Sequence, residues 1–381
     1  MSATSFLWFA WMGGTTAVYW LSPPRFRDLS LIVITVIFLF TYSAESAAIL
    51  LVFTGITYFA SGSGRLSTTR LVAIATVIVG ILVFYKLRVA TLHGIDLQSL
   101  VIPLGLSYYS FRCLHYLIER YKGMIRDHSF RSFSAYLLFL PTLMVGPIHR
   151  FPQFQRDANR VRWDAMMFSE GLLRILYGYF KIMVLAVFLV SEEFGQYVET
   201  ISATQIWWST YLFVIERAFY AYLLFAGYCD IAIGFALLLG YRVMENFDWP
   251  FIRKNISEFW RSWHISLSSW VREYAYMTIV ATTRRTVLAA LVSMVIFGLW
   301  HEISLRYVAW GLYHGAGIAI WQNFQKWKFD VPVPRGGIWT YVWHALSILL
   351  TFNFVILSFV LILEPDLGAA MRVYSILFGV T

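Results

Sequence analysis

The sequence predicts an all-α protein that crosses a membrane many times. Apolar residues fill 59% of its 381 positions, and charged residues fill only 13%. Ordinary soluble domains carry about 25% charged residues, and a soluble fold of this length would need more polar surface to cover its core. The chain also has 16 tryptophans, which favour membrane interfaces because an apolar ring and a polar tip are both accommodated there.

The apolar stretches give the candidate spans in order. They are 5–21, 29–43, 46–60, 71–87, 99–118, 133–148, 166–190, 206–226, 228–240, 286–300, 304–321, 338–363 and 367–380. A crossing helix needs about 20 apolar residues. Because 133–148 and 228–240 are short, we expect them to be re-entrant or strongly tilted, and we expect about ten to twelve crossings in all.

Basic residues are concentrated in three of the connecting loops. These loops hold Arg25 and Arg27, then Arg65 and Arg70, then the basic residues of 120–131. The positive-inside rule places them in the cytoplasm and the N-terminus outside. The net charge of +9 then reflects cytoplasmic loops that contact anionic membrane lipid. Scattered basic residues among hydrophobic spans argue against nucleic acid as a partner.

The pattern of residues 256–277 predicts an amphipathic helix that lies in the membrane interface or packs along the edge of a membrane bundle. Apolar side chains recur at steps of three and four, and polar side chains, including Arg261, lie on the opposite face. His264 lies on the shoulder of the apolar stripe. A helix-packing histidine is the simpler interpretation of that position alone.

Several polar residues fall inside or at the end of apolar stretches, where ionisable groups are costly and often functional. His301 follows the apolar run that ends at Trp300, and histidine suits general-base chemistry. Asp230 needs a partner or hydrogen bonds, and a structural role is favoured for it. His314, among glycines, is expected to be a packing residue. The two cysteines also look like packing residues, and no metal site, Walker loop or GxSxG elbow is found.

Five segments of the sequence resemble blocks of the bacterial membrane-bound O-acyltransferases, in the same order. They are GLSYYSFRCLHYLIERYKG, VGPIHRFPQF, AGYCDIAIGFALLLGYRVMENFDWPF, ISEFWRSWHISLSSWVREY and FGLWHE. The resemblance implies a ring of tilted transmembrane helices with an interfacial amphipathic helix. It also implies one membrane domain over 1–381, with N-terminal spans in 1–98, a core in 99–322 and C-terminal spans in 323–381.

The resemblance also implies an active site. The GLWH block places the principal catalytic histidine at His301, and the WRxWH block places a second functional histidine at His264. Trp263, Trp300, Arg261 and Asp230 are then candidates for binding substrate or organising the site. The family usually has glycine after the GLWH histidine, whereas this chain has Glu302. A carboxylate there could raise the pKa of the histidine or reorient its ring.

The implied reaction moves a D-alanyl or acetyl group from a cytoplasmic thioester to a hydroxyl of an extracytoplasmic envelope polymer. The donor would be a phosphopantetheine carrier protein or acyl-CoA, with no tightly bound cofactor. An extracytoplasmic acyltransferase is a further expected partner, and the cell membrane is the expected location. The short C-terminal region and GPIHRFPQF resemble the D-alanine type more closely.

Two alternatives remain open at this point. A transporter or flippase would use Asp230 and His301 as a proton path. A non-catalytic scaffold for a polymer synthase would not need both His264 and His301, and both are present.

Overall fold

The structure is a computed structural model that describes residues 6–62, 64–91, 105–126, 128–327 and 337–380. The regular structure of these residues is helical, and an isolated β-bridge joins Phe247 and Trp263. The protein is therefore an all-α polytopic membrane protein, as predicted. The predicted span 99–118 begins outside the described residues.

The chain forms two compact units. The first comprises Met1–Tyr179 and Gly227–Met244, and the second comprises Phe180–Ala226 and Glu245–Thr381. The division of 1–381 into N-terminal spans, core and C-terminal spans stays a prediction.

The first unit contains eight labelled helices. They are α1 Phe6–Leu21, α2 Arg27–Tyr42, α3 Ala44–Ser61, α4 Thr68–Thr91, α5 Leu106–Tyr121, α6 Phe130–Leu137, α7 Phe151–Ala158 and α8 Ala165–Tyr179. Stretch 133–148 does not form a regular crossing, because α6 ends at Leu137 and is followed by a 3₁₀ turn at Leu140–Thr142. Pro141 has no backbone N–H to continue the helix.

The first two sequence blocks that resemble the family contribute buried side chains to the core of this unit. The guanidinium of Arg112 is fully buried and donates to the hydroxyl Oγ1 of Thr142 at 2.6 Å. That hydroxyl also lies 3.0 Å from Nδ1 of His149, and His115 Nε2 accepts from the backbone N–H of Phe151 at 3.2 Å. The two blocks therefore form one packed structure through polar contacts as well as rings.

The three basic loops of the first unit lie together, as the orientation argument requires. Arg131 is 3.8 Å from the carboxylate of Asp28. Arg120 donates to the carbonyl oxygens of Gly62 and Gly64, at 2.8 Å in each case. These contacts agree with the prediction that the three loops lie at the same end of the helices. The placement of that end in the cytoplasm stays a prediction.

The second unit contains the remaining helices. A π-helical segment spans Phe180–Phe194. It is followed by α9 Gly195–Ile201, α10 Ile206–Leu238, α11 Ile256–Ser262, α12 Ile265–Val271, α13 Met277–Thr283, α14 Thr286–His301, α15 Leu305–Trp327, α16 Ile338–Leu363 and α17 Leu367–Phe378. The last residues of α10, from Gly227, belong to the first unit. The predicted separation of 206–226 from 228–240 is wrong, since α10 is continuous through Gly227.

Five helical segments of the described residues are long and apolar enough to cross a membrane. They are Ala44–Ser61, Thr68–Leu87, Ala165–Ile201, Ile206–Leu238 and Ile338–Leu363. Thr286–His301 and Leu367–Phe378 are shorter apolar helices. The expected total of about ten to twelve crossings stays a prediction.

Helices α14 and α15 form a tightly packed hairpin, and glycines make the close approach possible. A Cβ on Gly298 would lie 2.2 Å from the carbonyl oxygen of Tyr307. A Cβ on Gly311 would lie 2.6 Å from the carbonyl oxygen of Met294. Both distances are far below van der Waals contact, so the hairpin requires glycine at these positions.

Candidate active site

The segment predicted as one amphipathic helix over 256–277 is broken at its centre. Helix α11 ends at Ser262, Trp263 is extended, and α12 begins at Ile265. His264 has a left-handed backbone, with φ of 44° and ψ of 53°. The prediction of a continuous helix is therefore wrong. A helical-wheel position for His264 has no meaning, because this residue forms the break itself.

Asn246 holds this break in place, and the sequence argument did not identify it. Its backbone carbonyl accepts from the N–H of Ile265 at 2.9 Å, and its side-chain Oδ1 accepts from the N–H of Ser266 at 3.1 Å. Asn246 is fully buried. It supplies the acceptors that the first amides of α12 would otherwise lack. The only available signal was a polar residue in the MENFDWPF stretch.

The imidazole of His264 is buried against aromatic rings. Its ring centroid lies 4.8 Å from that of Phe225, and the side chain is 2% exposed. Within the described part of the chain, neither ring nitrogen has a hydrogen-bond partner. Burial, reinforced by nearby His301, lowers the pKa of His264 below its ordinary value. The ring is therefore neutral at pH 7 and has hydrogen-bonding capacity to offer a ligand.

His301 ends α14 and is exposed, in contrast to His264. Its ring stacks on Tyr307 with centroids 5.6 Å apart and planes 20° apart. Trp310 meets it edge-on at 6.0 Å. The hairpin packing at Gly298 brings Tyr307 to this position, and sequence spacing alone did not identify Tyr307 as a neighbour of the histidine.

The two histidines share neighbours. The ring of Trp300 lies 5.8 Å from that of His264 and 4.4 Å from that of His301. Phe297 lies 6.4 Å from the first and 5.8 Å from the second. The fold thus brings together the two residues that the GLWH and WRxWH blocks single out. Their shared surroundings are aromatic.

The carboxylate of Glu302 is engaged by Arg306. The two side chains form a bidentate ion pair, in which Arg306 Nε donates to Glu302 Oε1 at 3.3 Å and Nη2 donates to Oε2. Arg306 also donates to the carbonyl oxygens of Ile362 and Glu364, at 3.0 and 2.6 Å. The Arg306 guanidinium therefore compensates the negative charge of Glu302, which stands beside His301 where the family usually has glycine.

A cavity of about 510 Å³ lies beside this histidine pair, and Phe297 is part of its wall. Two cations, Arg261 and Arg272, line it together with several serine hydroxyls. The buried Nε1 of Trp260, another lining residue, finds no hydrogen-bond partner in the described ranges. Arg261 thus lines a cavity, and its role in binding substrate stays a prediction.

The other candidate residues have packing or ion-pair roles. Trp263 stacks on Phe259 with ring centroids 5.5 Å apart, so it anchors the broken helix. His314 is buried in α15 and its Nε2 lies 2.9 Å from the hydroxyl of Ser358, which agrees with the packing interpretation. Asp230 belongs to the first unit, where Arg174 Nε donates to its Oδ1 at 2.6 Å. This ion pair supports a structural role for Asp230, and the sequence gave no indication of Arg174 as the partner.

Comparison with known proteins identifies the family. The sequence profile described as the membrane-bound O-acyltransferase family matches residues 30–355. The chain belongs to the membrane-bound O-acyltransferase family. A protein of Pseudomonas aeruginosa named probable alginate O-acetylase is 29% identical over 388 aligned positions, which cover 95% of this chain and 72% of that protein.

Two further relatives act on other envelope polymers according to their names. A teichoic acid D-alanyltransferase of Streptococcus thermophilus is 31% identical over 69% of this chain and 69% of its own length. A peptidoglycan O-acetyltransferase of Helicobacter pylori is 27% identical over 77% of this chain and 59% of its own length. This membrane-bound O-acyltransferase is therefore a multi-pass membrane enzyme that transfers acyl groups to alcohols.

Proposed function

We propose that the protein moves an acyl group from a cytoplasmic thioester to a hydroxyl of an extracytoplasmic envelope polymer, with His301 as general base. The observation that carries this proposal is the pairing of His264 and His301 across Trp300. One imidazole is buried and neutral, and the other is exposed at a helix end. An exposed histidine can meet an incoming hydroxyl, while a buried one can hold a carbonyl oxygen.

Helix α14 supports opposite approaches for donor and acceptor. It begins directly after Arg284 and Arg285 and ends at His301. The positive-inside rule favours the cytoplasm for the arginine end, so the histidine end lies towards the outer face. Sixteen residues give a helix of about 24 Å, shorter than a hydrocarbon core of about 30 Å. A short helix lets the two substrates meet across a thin region.

The cavity beside Phe297 suits the thioester donor. Ala290 and Ser293, on the part of α14 nearer its arginine end, line it. Arg261 and Arg272 supply positive charge of the kind that binds phosphate groups, and both a phosphopantetheine arm and coenzyme A carry phosphate. The cavity also leads to Phe297, whose ring neighbours both histidines.

The mechanism that follows is general-base acyl transfer. His301 takes the proton as the acceptor oxygen attacks the thioester carbonyl carbon, a contribution of about 10²- to 10⁴-fold. One nitrogen of neutral His264 donates a hydrogen bond to the carbonyl oxygen as negative charge develops on it. When the carbon–sulfur bond breaks, the proton on His301 passes to the leaving thiolate. The ester and a free thiol are the products.

Acetyl is the acyl group that the comparisons favour. The match to the named alginate O-acetylase covers 95% of this chain, against 69% for the named teichoic acid D-alanyltransferase. We therefore place acetyl ahead of D-alanyl. The GPIHRFPQF segment alone had favoured the D-alanine type. The proposal includes the cell membrane as location and an extracytoplasmic acyltransferase as a partner.

Reconstituted protein tests the donor assignment. Proteoliposomes receive acetyl-CoA, an acetylated phosphopantetheine carrier or a D-alanylated carrier, and release of the free thiol is measured with an envelope polysaccharide as acceptor. We expect Arg272→Gln to raise the KM for the preferred donor roughly tenfold, through loss of one charge-assisted hydrogen bond. Arg285→Gln, exposed and outside the lining of the cavity, should leave KM unchanged. If both variants changed the KM for the donor equally, the cavity would not be the donor site.

A further inference from the structure

A second cavity in the same unit has a different chemical character. It has a volume of about 710 Å³, within the range of about 300–1,000 Å³ for small-molecule sites. Four carboxylates line it, from Glu192, Glu199, Glu216 and Glu364, against the single cation of Arg217. Its polar lining also includes the amide of Gln196 and four hydroxyl-bearing residues: Ser191, Ser202, Ser209 and Thr210.

Glu216 is the residue that points to a ligand. It is 2% exposed, and its Oε2 accepts from Arg217 Nε at 2.9 Å. Its other oxygen, Oε1, is buried and has no hydrogen-bond partner among the residues that the structure describes. A buried carboxylate oxygen without a partner is costly, so a donor from a bound molecule would stabilise it.

The cavity is linked to the catalytic end of α14 through Arg306. That guanidinium pairs with Glu302, the residue after His301, and also donates to the carbonyl oxygens of Ile362 and Glu364. Leu363 and Glu364 line the cavity. Arg306 therefore joins the wall of this cavity to the His301 end of α14, whereas the basic cavity lies beside Ala290 and Ser293 on the same helix. One cavity is cationic and the other is anionic.

We propose that the acidic cavity binds a sugar residue of the acceptor polymer, and that it selects a sugar without carboxylate or phosphate. This inference rests on the proposed acyl transfer to an envelope polymer and names the class of acceptor. Carboxylates only accept hydrogen bonds, and a polyhydroxyl ring offers several donors to them. An anionic sugar would instead meet a net charge of about −3 from the lining side chains, which repels it most strongly at low salt.

Direct binding to the full-length protein in detergent tests this proposal without requiring turnover. The probes are cellohexaose, which is neutral, and a mannuronate hexamer, which is anionic, both measured by isothermal titration calorimetry. We expect cellohexaose to bind, and Glu216→Gln to weaken that binding roughly tenfold through loss of a charged acceptor. The mannuronate hexamer should bind at least about tenfold more weakly at low salt and gain affinity on Glu199→Gln.

Glu193→Gln is the matched control, because Glu193 is exposed and adjoins Glu192 but lies outside the lining of the cavity. It should change neither affinity. If Glu216→Gln does not fold, Glu364→Gln at the half-buried rim serves in its place. Tighter binding of the anionic hexamer, no binding of either probe, or equal effects of the lining and control variants would overturn the acceptor assignment. Binding as expected with no acyl transfer to any acceptor would instead count against the proposed function.

Discussion

Replacing Gly298 by alanine should damage catalysis through the position of Tyr307. The added Cβ would lie 2.2 Å from the Tyr307 carbonyl oxygen, and ordinary contact begins at 3.4 Å. The two helices must therefore separate locally by about 1.2 Å, a strain of about 1–3 kcal/mol for overpacked sites. Because the ring of Tyr307 stacks on His301, the same movement should displace the imidazole that we propose as the general base.

A misplacement of about 1 Å can reduce a rate about 10²-fold. We therefore expect Gly298→Ala to lower kcat for acyl transfer by about one to two orders of magnitude while the protein still inserts and purifies as a monodisperse species. Gly80→Ala is the matched control, since an added Cβ on Gly80 in α4 would meet no described atom within 4 Å beyond the neighbouring backbone of its own helix. It should be neutral or stabilise by up to about 1 kcal/mol. Full activity of Gly298→Ala would refute the link between hairpin packing and the site.

Three further outcomes are expected. Asn246→Ala should lower kcat and destabilise the protein by about 1–3 kcal/mol, because the buried N–H of Ser266 loses its acceptor. The control Asn255→Ala removes the cap of α11 and should destabilise the protein to a similar extent with a smaller loss of kcat. Thermal unfolding measures the loss of stability, and steady-state kinetics measures the loss of kcat. Burial lowers the pKa of His264 in the folded state, so the folded state binds fewer protons than the unfolded state and stability should fall as pH drops below about 6.5, by at most about 1.4 kcal/mol per unit. His264→Gln should show a shallower loss between pH 7 and 5, and parallel curves would contradict the buried neutral imidazole. Cysteines at Arg261 and Glu273, both exposed, should be labelled from the same side of the membrane, and labelling from opposite sides would show that the broken segment crosses it.

Composition and hydropathy were sufficient to predict the helical membrane architecture. Span 338–363 agrees with α16 at both ends, because a long apolar run bounded by polar residues has one simple solution. The interfacial segment was predicted less well. Its apolar periodicity continues through Trp263 and His264, and hydrophobic spacing cannot show that a tertiary contact from Asn246 interrupts the helix.

The candidate site was predicted from the ordered sequence blocks and only weakly from the residues themselves. Periodicity alone treated His264 as a packing residue. Its left-handed backbone, and ring nitrogens that meet no hydrogen-bond partner among the described residues, give it a separate physical basis for function. Partners distant in sequence, such as Arg174 for Asp230, could not be predicted, because nothing local in the sequence encodes which cation meets a buried carboxylate.

The most direct test of the account is the ester content of the envelope polymer in cells that make His301→Ala at the level of the unchanged protein. His344→Ala is the control, since this half-buried histidine of α16 lines neither of the two cavities. Polymer is isolated, its esters are released by mild base, and acetate and D-alanine are quantified. In cells that make the His301 variant, the ester content should fall to that of cells that lack the gene. In cells that make the control variant, it should stay unchanged. Normal ester content with His301→Ala would contradict its role as the base.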